Sequence, residues 1–171
     1  TIVTPLEISL SPFELFQHLP QTQGTILLES ISPHSKLYQY SYIVSLPYAI
    51  VRSIGGRTFV MNEGKSYFTN DDVLEVLRKL LAEKKEIASP LARNDSTIFT
   101  GGAVGYISYD YGMTLENIFS RHARANSFPE IFFGLYDSAL CFNHRTKEWS
   151  LNSIENYELG IRNYKRIKQN V

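Results

Sequence analysis

Phe99-Thr100-Gly101-Gly102-Ala103-Val104-Gly105-Tyr106-Ile107-Ser108-Tyr109-Asp110 packs three glycines into five positions and follows them at once with β-branched and aromatic residues. Glycine suits a backbone that must take positive φ or approach another group closely. The Val104–Tyr109 run has the Val, Ile and Tyr content of a pleated strand. The stretch therefore predicts a tight Gly101-Gly102 turn feeding a central strand, with Gly105 leaving room for something packed against the sheet. A dinucleotide cradle needs G-x-G-x-x-G opening a helix, so that amides and helix dipole meet a pyrophosphate. Here the spacing is G-G-x-x-G and a strand follows, so that reading fails on context.

Outward from this stretch the signals are mostly β. Ala49–Ile54 and Arg57–Asn62 flank Gly55-Gly56, which predicts a hairpin with a primed two-residue turn. Ile131–Asn143 reads as one long strand, with a bulge at Gly134, and His144–Lys147 turns it into a partner over Glu148–Asn152. Thr25–Ser30 is a short apolar run consistent with a buried strand, and Leu37–Leu46 is the next one. Ile2–Ser9 alternates loosely and suits an edge, given Pro5.

Helices are fewer. Ser11-Pro12-Phe13-Glu14 combines a cap, a proline at the first helical position and a Glu three residues after the cap, predicting a helix to about Leu19. Asn70-Asp71-Asp72 precedes Val73, Leu74, Val76, Leu77, Leu80 and Leu81, which recur at helical spacing. Thr114–Arg124 is weakly helical, and 86–96, with Pro90, is a surface loop. Residues 156–169 place Tyr157, Ile161, Tyr164 and Ile167 on one helical face.

The 171 residues suit one domain with a substantial core, and the 43% hydrophobic and 20% charged fractions are those of an ordinary globular chain. Seventeen basic residues balance seventeen acidic ones, so no field selects nucleic acid or an anionic membrane as partner. No apolar run reaches bilayer length and no signal-peptide pattern opens the chain. The single cysteine, Cys141, lies in an apolar run and reads as a core filler, which fits a reducing cytoplasm.

Catalytic constellations are missing. His18, His34, His122 and His144 are dispersed, and there is no metal-ligand spacing, nucleophile elbow or Walker loop. No catalytic and no metal-binding residue is therefore expected.

Three segments carry a family resemblance. Phe99–Asp110 resembles the F-x-G-G-x-x-G-Y-x-S-Y-D stretch of anthranilate synthase component I and aminodeoxychorismate (p-aminobenzoate) synthase component I. Leu27-Leu28-Glu29-Ser30 is similar to the family's L-L-E-S segment, and Pro129–Asp137 to its L-P-E-x-x-F-G-L-Y-D segment. The resemblance implies an α+β fold, mostly antiparallel, with two orthogonally packed sheets and outer helices. It implies that residues 1–155 form the N-terminal domain and that 156–171 connect to a C-terminal domain holding the chorismate and magnesium sites. No cofactor is then expected in this chain itself.

The same resemblance implies a parent enzyme that combines chorismate with ammonia from a glutamine amidotransferase subunit, component II. The products are anthranilate and pyruvate, or aminodeoxychorismate. This region would then be a regulatory and scaffolding part that binds tryptophan, partly through the C-terminal domain, so that the chain alone binds it weakly or not at all. Gly101, Gly102, Gly105, Tyr106, Tyr109 and Asp110 would be the structural motif.

The carried-over ligand residues are Leu28, Glu29, Ser30, Gln39, Tyr40 and Ser41. Glu29 ends an apolar run, where a carboxylate must be solvated or paired, and an amino acid's ammonium is a fitting partner. Ser30 offers a hydroxyl and an amide, while Leu28 and Tyr40 would face an indole. Gln39 stands where many relatives carry Arg. Strand alternation puts Gln39 and Ser41 on one face and Tyr40 on the other. Phe142-Asn143-His144 falls where relatives often show an Asp-His pair, and a structural role is expected there. The competing reading from another class is a free-standing small-ligand module.

Overall fold

The computed structural model describes residues 2–30, 39–87, 98–116 and 128–154. In chain order its elements are β1 (Ile2–Leu6), α1 (Pro12–His18), β2 (Ile26–Leu28), β3 (Tyr40–Val44), β4 (Ala49–Ile54), β5 (Arg57–Asn62) and β6 (Lys65–Thr69). There follow α2 (Val73–Ile87), β7 (Gly102–Ile107), α3 (Tyr109–Leu115), β8 (Ile131–Tyr136), β9 (Ser138–Asn143) and β10 (Glu148–Ser153). The loop expected over 86–96 falls largely outside the described residues, as do most of the weak helix over 114–124 and the connector helix over 156–169.

The strands form two five-stranded sheets, ordered β1-β10-β9-β3-β2 and β6-β5-β4-β8-β7. Every pairing with a defined register is antiparallel, so the fold is α+β and mostly antiparallel. The chain divides into two compact units, one for each sheet.

In the first sheet, alternation puts Leu6, Ile43, Leu140, Phe142, Trp149 and Leu151 on one face. They pack with Leu15 of α1 and with Leu19. Helix α1 starts as expected: the Ser11 hydroxyl accepts from the Glu14 amide, and the Glu14 carboxylate accepts from the Ser11 amide at 2.8 Å. Those Ser11 contacts, the amide first, hold the Glu14 carboxyl below its ordinary value. Trp149 is fully buried and keeps its indole N–H satisfied on the Leu10 carbonyl at 2.9 Å.

In the second sheet, Ala49, Val51, Val60, Ile131 and Leu135 form the core with Val73, Val76 and Leu80 of α2 and Tyr111 of α3. The side chain of Asp72 accepts from the Leu74 and Glu75 amides at 2.9 and 3.1 Å and caps α2. The β4–β5 turn is the primed type expected, with Gly55 and Gly56 at φ +57 and +75. A second such turn, Glu63-Gly64 at φ +49 and +78, adds the edge strand β6, which the sequence reading leaves out.

Five expectations are corrected. Strand β7 lies at the sheet edge beside β8, not at the centre. It ends at Ile107, and Tyr109-Asp110 open a helix, because Ser108 takes an extended conformation ahead of that helix. The apolar run over 131–143 is two strands that break at Asp137 and belong to different sheets. Gly134 pairs with Ile50 within a regular ladder instead of forming a bulge. Finally, the run over 25–30 yields only a three-residue edge strand, half-buried rather than buried.

Gly101 and Gly102 turn the chain at φ +150 and +134. The room that Gly105 leaves is for backbone: a Cβ there would be driven into the Phe132 carbonyl and to 2.7 Å from Phe133 Cα. Gly105→Ala is expected to destabilise the protein by about 3 kcal/mol or more in urea unfolding. Gly55→Asn, at a turn with open space, should cost less than about 1 kcal/mol. Equal costs for the two would contradict this packing.

Candidate functional site

The β9–β10 turn builds the site. Asn143 Oδ1 accepts from the Arg145 and Thr146 amides at 2.9 and 3.3 Å, and Lys147 closes the turn at φ +63. Strand pairing sets Ser41 opposite Phe142, and the His144 amide donates to the Gln39 carbonyl at 2.9 Å. His144 Nε2 then lies 2.7 Å from Ser41 Oγ, which also accepts from the Ser30 amide at 3.1 Å. Ser41 is fully buried. Its hydroxyl thus joins the end of β2, the start of β3 and the turn. Burial holds the His144 imidazole below its ordinary value of 6.5; Lys147 adds to this and Glu29 opposes it.

Glu29 and His144 line a cleft of about 500 Å³ with Lys147, Ile8, Leu10 and Phe142. Glu14 also reaches it but is held by Ser11. Among the described residues neither Glu29 nor the Lys147 ammonium has an ion-pair or hydrogen-bond partner. The cleft therefore offers one carboxylate, one ammonium and an apolar wall.

The six carried-over residues divide by pleat. Leu27 pairs with Ile43 toward the α1 core, so Leu28, opposite Tyr42, faces the other way with Tyr40. Leu28 is exposed, and the Tyr40 hydroxyl accepts from Gln39 Nε2 at 3.0 Å. Tyr40 lines a different cleft, of about 460 Å³, with Val3, Pro5, Cys141, Asn143 and Ser150. Burial pushes the Cys141 thiol up to about 11, so it is an inert filler there. Ser30 and Ser41 are linked to each other, and Glu29 opens onto the first cleft.

The motif residues Gly105, Tyr106, Tyr109 and Asp110 belong to the second sheet's unit: Tyr106 donates to the Pro129 carbonyl at 3.1 Å, while Tyr109 and Asp110 are exposed on α3. His144 and Lys147 were not among the candidates. Their place depends on a pairing across 103 residues, which no local pattern announces. Among the described residues no three His, Cys, Asp or Glu side chains cluster to hold a metal. No helix among them is long and apolar enough to cross a membrane.

Residues 23–170 match the family model for chorismate binding enzymes. The chain belongs to the anthranilate synthase component I and aminodeoxychorismate synthase component I family. It is 31% identical over 150 residues to anthranilate synthase component 1 of Methanothermobacter thermautotrophicus, covering 86% of this chain and 30% of that protein. It is 29% identical over 141 residues to aminodeoxychorismate synthase component 1 of Escherichia coli K12, covering 82% of this chain and 30% of that protein. The chain thus spans about 30% of these family members' length. The fold is similar to that of anthranilate synthase component I from Streptococcus pneumoniae TIGR4, with a TM-score of 0.50 at 22% identity, over 94% of this chain and 32% of that one. Family members bear the name component 1, which implies a second component.

Because the imidazole is held below 6.5 in the fold, the unfolded chain takes up a proton first as the pH falls. The contribution is complete above 6.5 and is lost as the pH drops through 6.5 toward the folded value. Urea midpoints at pH 7.5 and 5.5 are expected to fall less in His144→Gln than in the wild type. An NMR titration placing His144 at or above 6.5 would contradict the burial argument.

Proposed function

We propose that this chain is the effector-binding and scaffolding part of a chorismate-using synthase component I, and that the Glu29–Lys147 cleft grips a zwitterionic amino acid of the tryptophan type. What supports the reading is the Glu29 carboxylate, without an ion-pair partner among the described residues, lining a cleft that Lys147 also lines. The ligand's ammonium docks on Glu29 through a charge-assisted hydrogen bond and its carboxylate on Lys147. Its side chain lies on Ile8, Leu10 and Phe142, not on Leu28 and Tyr40. Ser41 and His144 hold the end of β2, so that Glu29 projects from a fixed backbone.

Chemistry is assigned to the remainder of a longer parent protein. There chorismate and magnesium would bind, and ammonia delivered from glutamine by component II would displace the ring hydroxyl of chorismate as water, with pyruvate then eliminated to leave anthranilate. A second reading, favoured by the likeness to the E. coli protein, is that the parent product is aminodeoxychorismate. Product analysis with chorismate and glutamine separates the two.

In the intact synthase, Glu29→Gln is expected to raise the tryptophan concentration for half-inhibition about tenfold or more, the worth of one charge-assisted hydrogen bond. Ser30→Phe should do the same by displacing the end of β2. The uninhibited rate should stay within twofold of wild type in both. Unchanged tryptophan sensitivity in both variants would remove the effector from this cleft.

A further inference from the structure

The Ser41 hydroxyl carries one proton, and its surroundings fix where that proton goes. Its oxygen accepts from the Ser30 amide at 3.1 Å and lies 2.7 Å from His144 Nε2. Ser41 is fully buried, and among the described residues its side chain has only these two partners. An amide N–H cannot accept, so the hydroxyl proton is donated to Nε2. The imidazole that completes this chain of bonds is therefore neutral and bears no hydrogen on Nε2.

A proton taken up at Nε2 reverses the second bond. The imidazolium donates where the neutral ring accepted, so the Ser41 oxygen faces two donors and its own proton has no acceptor. A buried hydroxyl left in that state is costly, and the cost is relieved when one donor leaves. The Ser30 amide is the one that yields, because β2 is a three-residue strand at a sheet edge. His144 is held more firmly, by its own amide on the Gln39 carbonyl at 2.9 Å and by its ring edge-on to Phe142 at 5.1 Å.

The charged groups that share the cleft with this ring are Glu29 after β2, Lys147 in the β9–β10 turn and Glu14 of α1. Glu14 is engaged by Ser11. Burial, followed by Lys147, disfavours the imidazolium, and Glu29 favours it; the balance keeps the ring below its ordinary value of 6.5. The ring is thus neutral at pH 7.5 and takes up its proton only in the acid range.

We propose that His144 is a positioning residue for the amino-acid cleft and that its protonation switches the cleft off. The neutral ring, through Ser41 and Ser30, holds Glu29 where a ligand ammonium docks; the imidazolium releases it. The ligand is the zwitterionic amino acid proposed above, so the switch rests on that reading.

The test is equilibrium dialysis of labelled L-tryptophan against the intact protein that carries this sequence, at pH 7.5 and 5.0. Wild-type affinity is expected to be about fivefold weaker at the lower pH. His144→Gln, whose amide accepts from Ser41 without titrating in this range, is expected to change less than about twofold. Ser41→Ala cuts the link and keeps the imidazole: binding should be weaker than wild type at pH 7.5 and change less than about twofold with pH.

If the wild type binds equally at both pH values, or if His144→Gln loses affinity as steeply as the wild type, the switch is overturned and the amino-acid cleft stands. If Ser41→Ala keeps the wild-type pH dependence, the imidazolium acts on the ligand by its charge alone and the relay through Ser41 is overturned. If L-tryptophan binds the wild type at neither pH, cleft and switch both fail.

Discussion

Ser41 Oγ is a buried hydroxyl shared by three segments of chain, and the candidate site depends on it. It takes the Ser30 amide at 3.1 Å and meets His144 Nε2 at 2.7 Å. Strand β2 is only three residues long and lies at a sheet edge, so its own ladder holds its end weakly. The buried bond supplies that constraint, because a polar group left unsatisfied away from water costs about 1–3 kcal/mol. Fixing Ser30 fixes the backbone from which Glu29 projects. A carboxylate with a defined position can recognise a ligand; one on a loose strand end would be solvated first.

The pleat of β3 divides the neighbourhood in two. Ser41 and Ile43 face the α1 core, while Tyr40 and Tyr42 face the other way. Tyr42 packs edge to face on Phe99 at 5.8 Å, and the Asn152 side chain donates to the Phe99 carbonyl at 3.4 Å. That second face carries aromatic packing, and its cleft is also lined by the carboxylates of Glu7 and Glu148. Among the described residues, charges of both signs without ion-pair partners gather on the α1 side, at Glu29 and Lys147. The first cleft has the Lys147 cation beside its carboxylates, whereas the charged residues lining the second, Glu7 and Glu148, are both acidic.

Local chemistry made much of the fold legible. The Ser11–Glu14 capping box, the Asp72 cap and the Gly55-Gly56 turn each carry their own signal, and each is formed. What stayed hidden depends on partners far along the chain. The apolar run over 131–143 looks continuous because β8 and β9 are both mostly buried, and nothing local marks their passage from one sheet to the other at Asp137. The edge position of β7 is likewise a matter of neighbours. Glu29, Ser30 and Ser41 entered as candidates through the family resemblance, and the structure brings Ser30 and Ser41 together. His144 and Lys147 did not, since their approach rests on the β3–β9 register.

The central claim is that an amino acid binds on the Glu29 side of the first sheet, beside the turn that Ser41 anchors. Amide chemical shifts of this chain, followed while L-tryptophan is raised to millimolar concentration, test it directly, because weak binding suffices for the readout. The account predicts that Ser30, His144 and Lys147 shift together and saturably, while Tyr40, Cys141 and Ser150 stay in place. Shifts confined to Tyr40, Cys141 and Ser150, or none at Ser30 and Lys147, would contradict it.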